Sequence, residues 1–145
     1  MFSKSSVLIF ASAAFAAISG SAAAAVEQAQ VTVMTNAQMD AWLATTDAKL
    51  TYITDGTARS PLNTRVVYCN RRTQNVCGGS CTVYNGNAKC LGAPGTQCLS
   101  ATTNVGFCDR GGCQGSCNQY SSCGTRLDNR FCFTPGTASI LVPAT

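Results

Sequence analysis

The sequence predicts a small, disulfide-rich α+β domain, in which a strand–helix–strand segment packs on a duplicated cystine-rich unit. The chain of 145 residues holds 10 cysteines, and all of them lie from residue 69 onward. The residues before them alternate between strand-like and helix-like apolar patterns. In the cysteine-rich part, the motif Cys-x-Gly-Ser-Cys occurs twice, at 77–81 and 113–117. These observations predict one domain whose core depends on cystine bridges.

The first residues, 1–25, have the pattern of a secretory signal peptide. Lys4 gives a positive start, an apolar run begins at Val7, and small residues with Ala-x-Ala frames follow up to Ala25. The apolar run is too short for a membrane-spanning helix, and no other stretch of the chain could span a bilayer. The sequence therefore predicts secretion and an oxidising environment for the cysteines.

Residues 26–63 contain no cysteine and predict a strand, a helix, a second strand and a linker. Residues 30–34 alternate apolar and polar side chains, as a half-buried strand does. Residues 50–54 have the same character and end at an Asp-Gly turn signal. The linker is expected to cover residues 57–63.

Between these two strands, the spacing of apolar residues predicts one helix. Thr35 or Asn36 can accept a hydrogen bond from an unpaired backbone N–H of the first turn and so cap the helix. The buried stripe is expected to consist of side chains at helical spacing, namely Met39, Trp42, Leu43 and Thr46. Trp42, the only tryptophan of the chain, is interpreted as a packing anchor rather than as a platform for a ligand.

Residues 64–145 predict a cystine-rich region that forms one domain with the preceding segment. It divides into two similar units, about 68–102 and 107–137, which begin with Tyr-Cys-Asn-Arg and Phe-Cys-Asp-Arg. A strand leads into the first unit, and residues 138–142 predict a last strand. The order of the later cysteines matches the pair Cys90 and Cys98 with the pair Cys123 and Cys132.

All ten cysteines are predicted to form disulfides. They are Cys69, Cys77, Cys81, Cys90, Cys98, Cys108, Cys113, Cys117, Cys123 and Cys132. Since each unit holds five cysteines, an odd number of bridges must cross between the units, and the sequence does not choose the partners. The glycines inside each Cys-x-Gly-Ser-Cys motif favour turns, and the two cysteines of one motif are expected to reach different partners.

The chain contains no histidine, which removes many classes of catalytic and metal site. Ser-His-Asp and Cys-His catalysis and His-ligated metals all need an imidazole. A zinc site made of four thiolates is the remaining metal alternative, and secretion favours disulfides over it. The 6 acidic residues are too few and too dispersed to indicate a glycosidase pair. We therefore expect no enzyme, no cofactor and no metal site.

A binding role is the stronger expectation. Tyr84 and Tyr120 each follow a Cys-x-Gly-Ser-Cys motif and, with Tyr52, could stack on sugar rings beside amides of the loop 85–87. The alternative is that these tyrosines fill a small core. Arg71 and Arg110 occupy equivalent places in the two units, where they can stack on aromatic rings, bind carbonyls or stay in solvent. A net charge of +4 with scattered arginines gives no reason to expect nucleic-acid binding.

Several stretches together resemble a known family. They are residues 42–48 (Trp-Leu-Ala-Thr-Thr-Asp-Ala), 50–53, 77–86 (Cys-Gly-Gly-Ser-Cys-Thr-Val-Tyr-Asn-Gly), 104–109 and 132–137 (Cys-Phe-Thr-Pro-Gly-Thr). They are similar to small secreted cysteine-rich proteins of basidiomycete fungi. The resemblance implies an extracellular, effector-like protein that acts on a host or at the fungal wall. It assigns no catalytic or binding residue.

The sequence thus predicts a secreted, non-enzymatic, disulfide-stabilised protein. The first hypothesis is a fungal extracellular effector or interaction protein whose partner is an extracellular protein or a glycan. The alternatives are a carbohydrate-binding module for cell-wall glycans and an antimicrobial or enzyme-inhibitor protein. Its expected place is outside the cell, in association with the cell wall where the ligand is a wall component.

Overall fold

The fold of the protein, from a computed structural model that describes residues 33–54 and 63–144, is one helix and one seven-stranded sheet. The helix is α1 (Asn36–Thr45), and the strands are β1 (Lys49–Thr54), β2 (Thr64–Thr73), β3 (Val76–Gly86), β4 (Lys89–Ala101), β5 (Gly106–Arg110), β6 (Gln114–Gln119) and β7 (Cys132–Val142). The strand order is β1-β3-β2-β4-β7-β5-β6. β1 runs parallel to β3, and every other pair is antiparallel. The small, disulfide-rich character is confirmed, but the fold contains more sheet than the predicted α+β class.

The helix forms where its local signals predict it. Thr35 is the N-cap, and its side chain and that of Gln38 accept hydrogen bonds from each other's backbone N–H groups. Met39 and Trp42 are buried against the sheet. The strand predicted at 30–34 is not found where it can be checked, because residues 33 and 34 are not in a strand and residues 30–32 lie outside the described part.

The signal peptide, the Asp-Gly turn signal and most of the predicted linker also lie outside the described residues. The second predicted strand is confirmed as β1, and the strand that leads into the first unit is confirmed as the start of β2. The predicted last strand is confirmed as the end of β7.

The two faces of the sheet bury two sets of side chains, because successive residues of a strand point to opposite faces. Along β2, Val66 and Tyr68 belong to one set, and Val67 and Cys69 belong to the other. The first set, the tyrosine core, consists of Val66, Tyr68, Tyr84, Leu91, Ala93, Leu99, Ala101, Val105, Tyr120, Cys132, Ile140 and Val142. The second set, the helix core, contains the buried residues of α1 and consists of Met34, Met39, Trp42, Val67, Cys69, Cys77, Cys81, Val83, Cys98, Leu127 and Phe131.

All ten cysteines are paired, so the predicted disulfide bonding is confirmed. The five bridges are Cys69–Cys81, Cys77–Cys98, Cys90–Cys113, Cys108–Cys117 and Cys123–Cys132. One bridge, Cys90–Cys113, joins the two predicted units, which agrees with the odd number required. The two cysteines of each Cys-x-Gly-Ser-Cys motif reach different partners, as expected.

The expectation that both motifs form turns is wrong for the first of them. Residues 77–81 lie inside β3, and residues 113–117 run from a single 3-10 turn (Gly111–Cys113) into β6. The glycine of each motif has a positive φ, 84° at Gly79 and 82° at Gly115. This conformation makes the strand irregular at the glycine. At each of these places, an amide or acidic side chain of the neighbouring strand accepts a hydrogen bond from the backbone of the next residue.

That side chain is Asn70 in the first motif and Asp109 in the second. Its Oδ1 atom accepts a hydrogen bond from the backbone N–H of Ser80 or Ser116, at 2.9 Å in both places. The structure gives both copies of the motif the same bracing contact. The motif is therefore part of the framework.

The sheet register corrects the matching of the later cysteines. In β2 and β4, Cys69 lies opposite Cys98, and in β5 and β7, Cys108 lies opposite Ser139. The residue equivalent to Cys98 is therefore Ser139 and not Cys132. The duplication of the whole unit stays a prediction, but its cysteines cannot be aligned simply by their order.

We expect Gly79→Ala to lower the free energy of unfolding by about 1–3 kcal/mol, because it forces a side chain into a left-handed backbone conformation. An added Cβ would also lie 2.6 Å from Oδ1 of Asn70 and 2.7 Å from Cβ of Arg71. Gly78→Ala is the matched control, since an added Cβ there meets nothing within 4 Å. Denaturant unfolding with the disulfides intact measures both. Equal stabilities of the two variants would contradict this role of Gly79.

Candidate functional site

Two hollows lie on either side of Trp42, and together we call them the Trp42 groove. The larger, of about 440 Å³, lies between the end of α1 and the β2–β3 hairpin. The smaller, of about 250 Å³, lies beside Met34 and the 3-10 turn Asp128–Arg130. Three residues line both hollows, namely Trp42, Thr45 and Asn129. The residues that line the groove come from both the helix and the cystine-rich sheet.

Trp42 forms the shared wall of the groove and is held there by packing. Its ring lies 4.9 Å from the ring of Phe131, centroid to centroid, with the planes tilted by 48°. Only 7% of the residue is exposed. The ring therefore serves as the predicted anchor, and a ligand in the groove would meet its edge rather than a free face.

The turn that carries Asn129 is rigid although it is irregular. Asn129 and Arg130 both have positive φ, 60° and 63°, a conformation that is costly for arginine. The carbonyl oxygen of Arg130 accepts hydrogen bonds from the hydroxyl of Tyr120, from Ser100 Oγ and from Arg126. These contacts fix the turn, and the Asn129 amide is thereby presented to both hollows.

The rim of the larger hollow carries both charges and hydroxyl groups. Arg71 and Asp47 are exposed and line it, together with Thr46 and Thr73. The side chain of Val76, 54% exposed, and the buried Cys77 add apolar surface. Such a rim can donate and accept hydrogen bonds while an apolar part of a ligand lies against the wall.

The predicted stacking surface of Tyr84 and Tyr120 is not formed. Both tyrosines are fully buried in the tyrosine core. Tyr84 donates a hydrogen bond to the carbonyl of Asn87 at 2.7 Å, and Tyr120 donates to the carbonyl of Arg130. The alternative interpretation, in which these tyrosines fill the core, is the one the structure supports. Tyr52 is 61% exposed on β1 but does not line the Trp42 groove.

The two arginines predicted as binding residues are separated in the structure. Arg71 lines the larger hollow, whereas Arg110 is exposed on β5, outside the groove. Within the described residues, stacking on aromatic rings is instead found for Arg72, 4.3 Å from the Phe133 centroid, and for Arg126, 4.6 Å from the Tyr120 centroid. Of the residues singled out in the sequence, Trp42 and Arg71 therefore lie together in the groove. Asn129 lines the groove as well, although in the sequence the pair Asp128-Asn129 indicates only a turn.

No group of three or more acidic, histidine or cysteine side chains able to hold a metal occurs in the described part of the chain. Over the same residues, no helix is both long and apolar enough to cross a bilayer. Burial raises the pKa of the Tyr68 hydroxyl, and a hydrogen bond with Thr82 partly offsets this. The phenol therefore stays protonated near neutral pH.

No protein-family model matches the chain, and no curated protein or solved structure is significantly similar to it.

Proposed function

We propose that the protein is a secreted, non-enzymatic binding protein that recognises a neutral glycan of a cell wall or host surface through the Trp42 groove. One observation carries the proposal. An aromatic edge, an amide on a rigid turn, several hydroxyls and a guanidinium line one groove in a sheet locked by disulfides. The effector-like role at a host or wall, suggested by the resemblance to secreted basidiomycete proteins, is part of the same proposal.

The chemistry of the groove favours a glycan over a charged ligand. Sugar rings present apolar C–H faces, which can lie against Trp42 and Val76, and hydroxyls, which can bond to amides and threonines. Arg71 and Asp47 place opposite charges on the rim of the larger hollow, so that hollow does not attract one sign of charge. A hollow of about 440 Å³ also lies in the size range of small-molecule sites.

The five disulfides support an extracellular location, because such bridges persist in oxidising environments. Bridges in a sheet also keep a groove in one shape without a ligand, so little conformational entropy is lost on binding. A preformed groove of this kind suits a protein that works alone outside the cell.

We expect Asn129→Gly to weaken binding to insoluble β-glucan or chitin about tenfold, because it deletes the amide that both hollows share. Glycine adopts the left-handed conformation of this position without strain, so the turn should keep its shape. Co-sedimentation with washed polysaccharide, followed by non-reducing gels of the bound and free protein, gives the affinity.

Gln74→Gly is the matched control for this experiment. Gln74 also has a positive φ, 55°, and is exposed, but it lines neither hollow. Its variant should bind as the unmodified protein does. If Asn129→Gly binds equally well, the Trp42 groove is not the site. If the unmodified protein is retained by neither polysaccharide, these two wall glycans are not its ligands and the proposal loses its main support.

A further inference from the structure

The sheet has an internal two-fold relation around the β4–β7 pair. Outward from this pair, β2 and β3 follow on one side, and β5 and β6 follow in the same order on the other. At the centre, Thr96 lies opposite Thr137. The pairs on either side of it are exchanged by the two-fold relation. Leu91 lies opposite Ile140, and their equivalents, Cys132 and Leu99, also lie opposite each other.

The tyrosine core follows the same relation. Ten of its twelve members form equivalent pairs under this register: Val66 with Val105, Tyr84 with Tyr120, Leu91 with Cys132, Leu99 with Ile140 and Ala101 with Val142. Of the other two, Tyr68 corresponds to Phe107 and Ala93 to Thr134. The repeat is therefore expressed in packing as well as in the cysteine motifs.

Two clefts on the sheet occupy equivalent places in this arrangement. One, of about 200 Å³, is lined by Asn70, Ser80 and Thr96, and the other, of about 130 Å³, is lined by Asp109, Ser116 and Thr137. An aromatic residue, a cystine and a proline line each cleft as well. Because Thr96 and Thr137 are paired across β4 and β7, the two clefts approach each other at the centre of the sheet.

The lining of the clefts defines the ligand class. Hydroxyls and amide or carboxylate groups surround a small apolar floor, and the first cleft has no charged lining residue. Such groups donate to and accept from ligand hydroxyls, and neither cleft is lined by a cation that would favour an anion. The equivalent lining residues differ at Tyr68 and Phe107, at Thr82 and Asn118, and at Asn70 and the acceptor-only Asp109, and Thr51 lines only the first cleft. The exchange of Asn70 for Asp109 is the one that places a charge in the second cleft.

We infer that these two clefts are one binding site built twice, and that each takes one hydroxyl-bearing unit of a neutral polysaccharide. The ligand class rests on the proposed function, but the site is distinct from the Trp42 groove. Two adjacent copies of a weak site increase the affinity for a polymer over that for a monosaccharide, because the second unit binds at a high effective concentration.

The test is an NMR titration of the ¹⁵N-labelled, fully oxidised protein with soluble β-glucan and chitin hexasaccharides. The reporters are the indole N–H of Trp42 and the amides of Gly95 and Gly136, which have positive φ at equivalent places of β4 and β7, next to the cleft residues Thr96 and Thr137. Both glycine amides should shift in a saturable way, with Gly136 requiring about threefold more ligand. In Asp109→Asn, the two should saturate together, and Asn70→Asp should weaken the response of Gly95.

These variants keep the Oδ1 acceptor for Ser116 or Ser80, and each residue already occurs in the other half of the sheet. A response at Trp42 with neither glycine shifted overturns the paired site and leaves the proposed function intact. A shift of only one glycine amide also overturns it. Shifts of both glycines with a silent Trp42 support the paired site and contradict the role of the Trp42 groove. No response at any reporter overturns both.

Discussion

Replacing Cys77 and Cys98 together with alanine is expected to lower the free energy of unfolding by about 3–5 kcal/mol. The bridge closes a loop of 21 residues and is buried in the helix core, where Cys77 is 3% and Cys98 0% exposed. Its loss therefore frees the unfolded chain and leaves a cavity beneath α1. Because Cys77 also lines the Trp42 groove, glycan binding should weaken with stability.

Denaturant unfolding under non-reducing conditions measures this change. The control removes Cys108 and Cys117, which close a loop of only 9 residues in the β5–β6 hairpin, where Cys108 is buried but Cys117 is exposed. That variant should lose about 2–3 kcal/mol and keep the Trp42 groove. An equal or larger loss in the control would contradict the role given to the buried bridge.

Exchanging the positions of a cysteine and a serine, in Cys90→Ser/Ser139→Cys, is expected to move a disulfide from 90–113 to 113–139. Ser139 occupies the place of Cys98, and its Oγ accepts a hydrogen bond from the backbone N–H of Cys113 at 2.9 Å. In the first half of the sheet, the residues equivalent to Cys113 and Ser139 are Cys77 and Cys98, and these two form a disulfide. A thiol at 139 would therefore lie within the distance range from which Cys113 can be bridged.

Thiol counting and non-reducing peptide mapping decide this prediction. The double variant should contain no free thiol and should yield a peptide pair joined through residues 113 and 139. Cys90→Ser alone is the control and should leave Cys113 reduced. Two free thiols in the double variant would contradict the equivalence of Ser139 and Cys98, and with it the two-fold repeat.

The parts of the fold that depend on neighbouring residues could be predicted from the sequence. The capped helix at Thr35, the strand at 49–54 and the last strand follow from local pattern. The glycine-containing motif at 77–81 misled the prediction, since glycine there serves an irregular strand and not a turn.

The disulfide partners and the groove depend on tertiary register, which the sequence does not state. Cys113 pairs with Cys90, while its backbone N–H donates a hydrogen bond to Ser139 Oγ across the sheet. Asn129 lines the same hollows as Trp42, in a turn where three hydrogen bonds hold the carbonyl group of Arg130. The spacing of Tyr84 and Tyr120 after the two motifs predicted a binding surface, but both side chains are buried in the tyrosine core.

Tryptophan fluorescence gives the most direct test of glycan recognition at the groove. Trp42 is the only tryptophan and lines both hollows, so its emission reports on this site without a label. Titration with soluble β-glucan and chitin oligosaccharides should give a saturable change in emission, and Asn129→Gly should shift its midpoint about tenfold to higher concentration. An emission spectrum that stays constant up to about 1 mM of each oligosaccharide would contradict the proposed function.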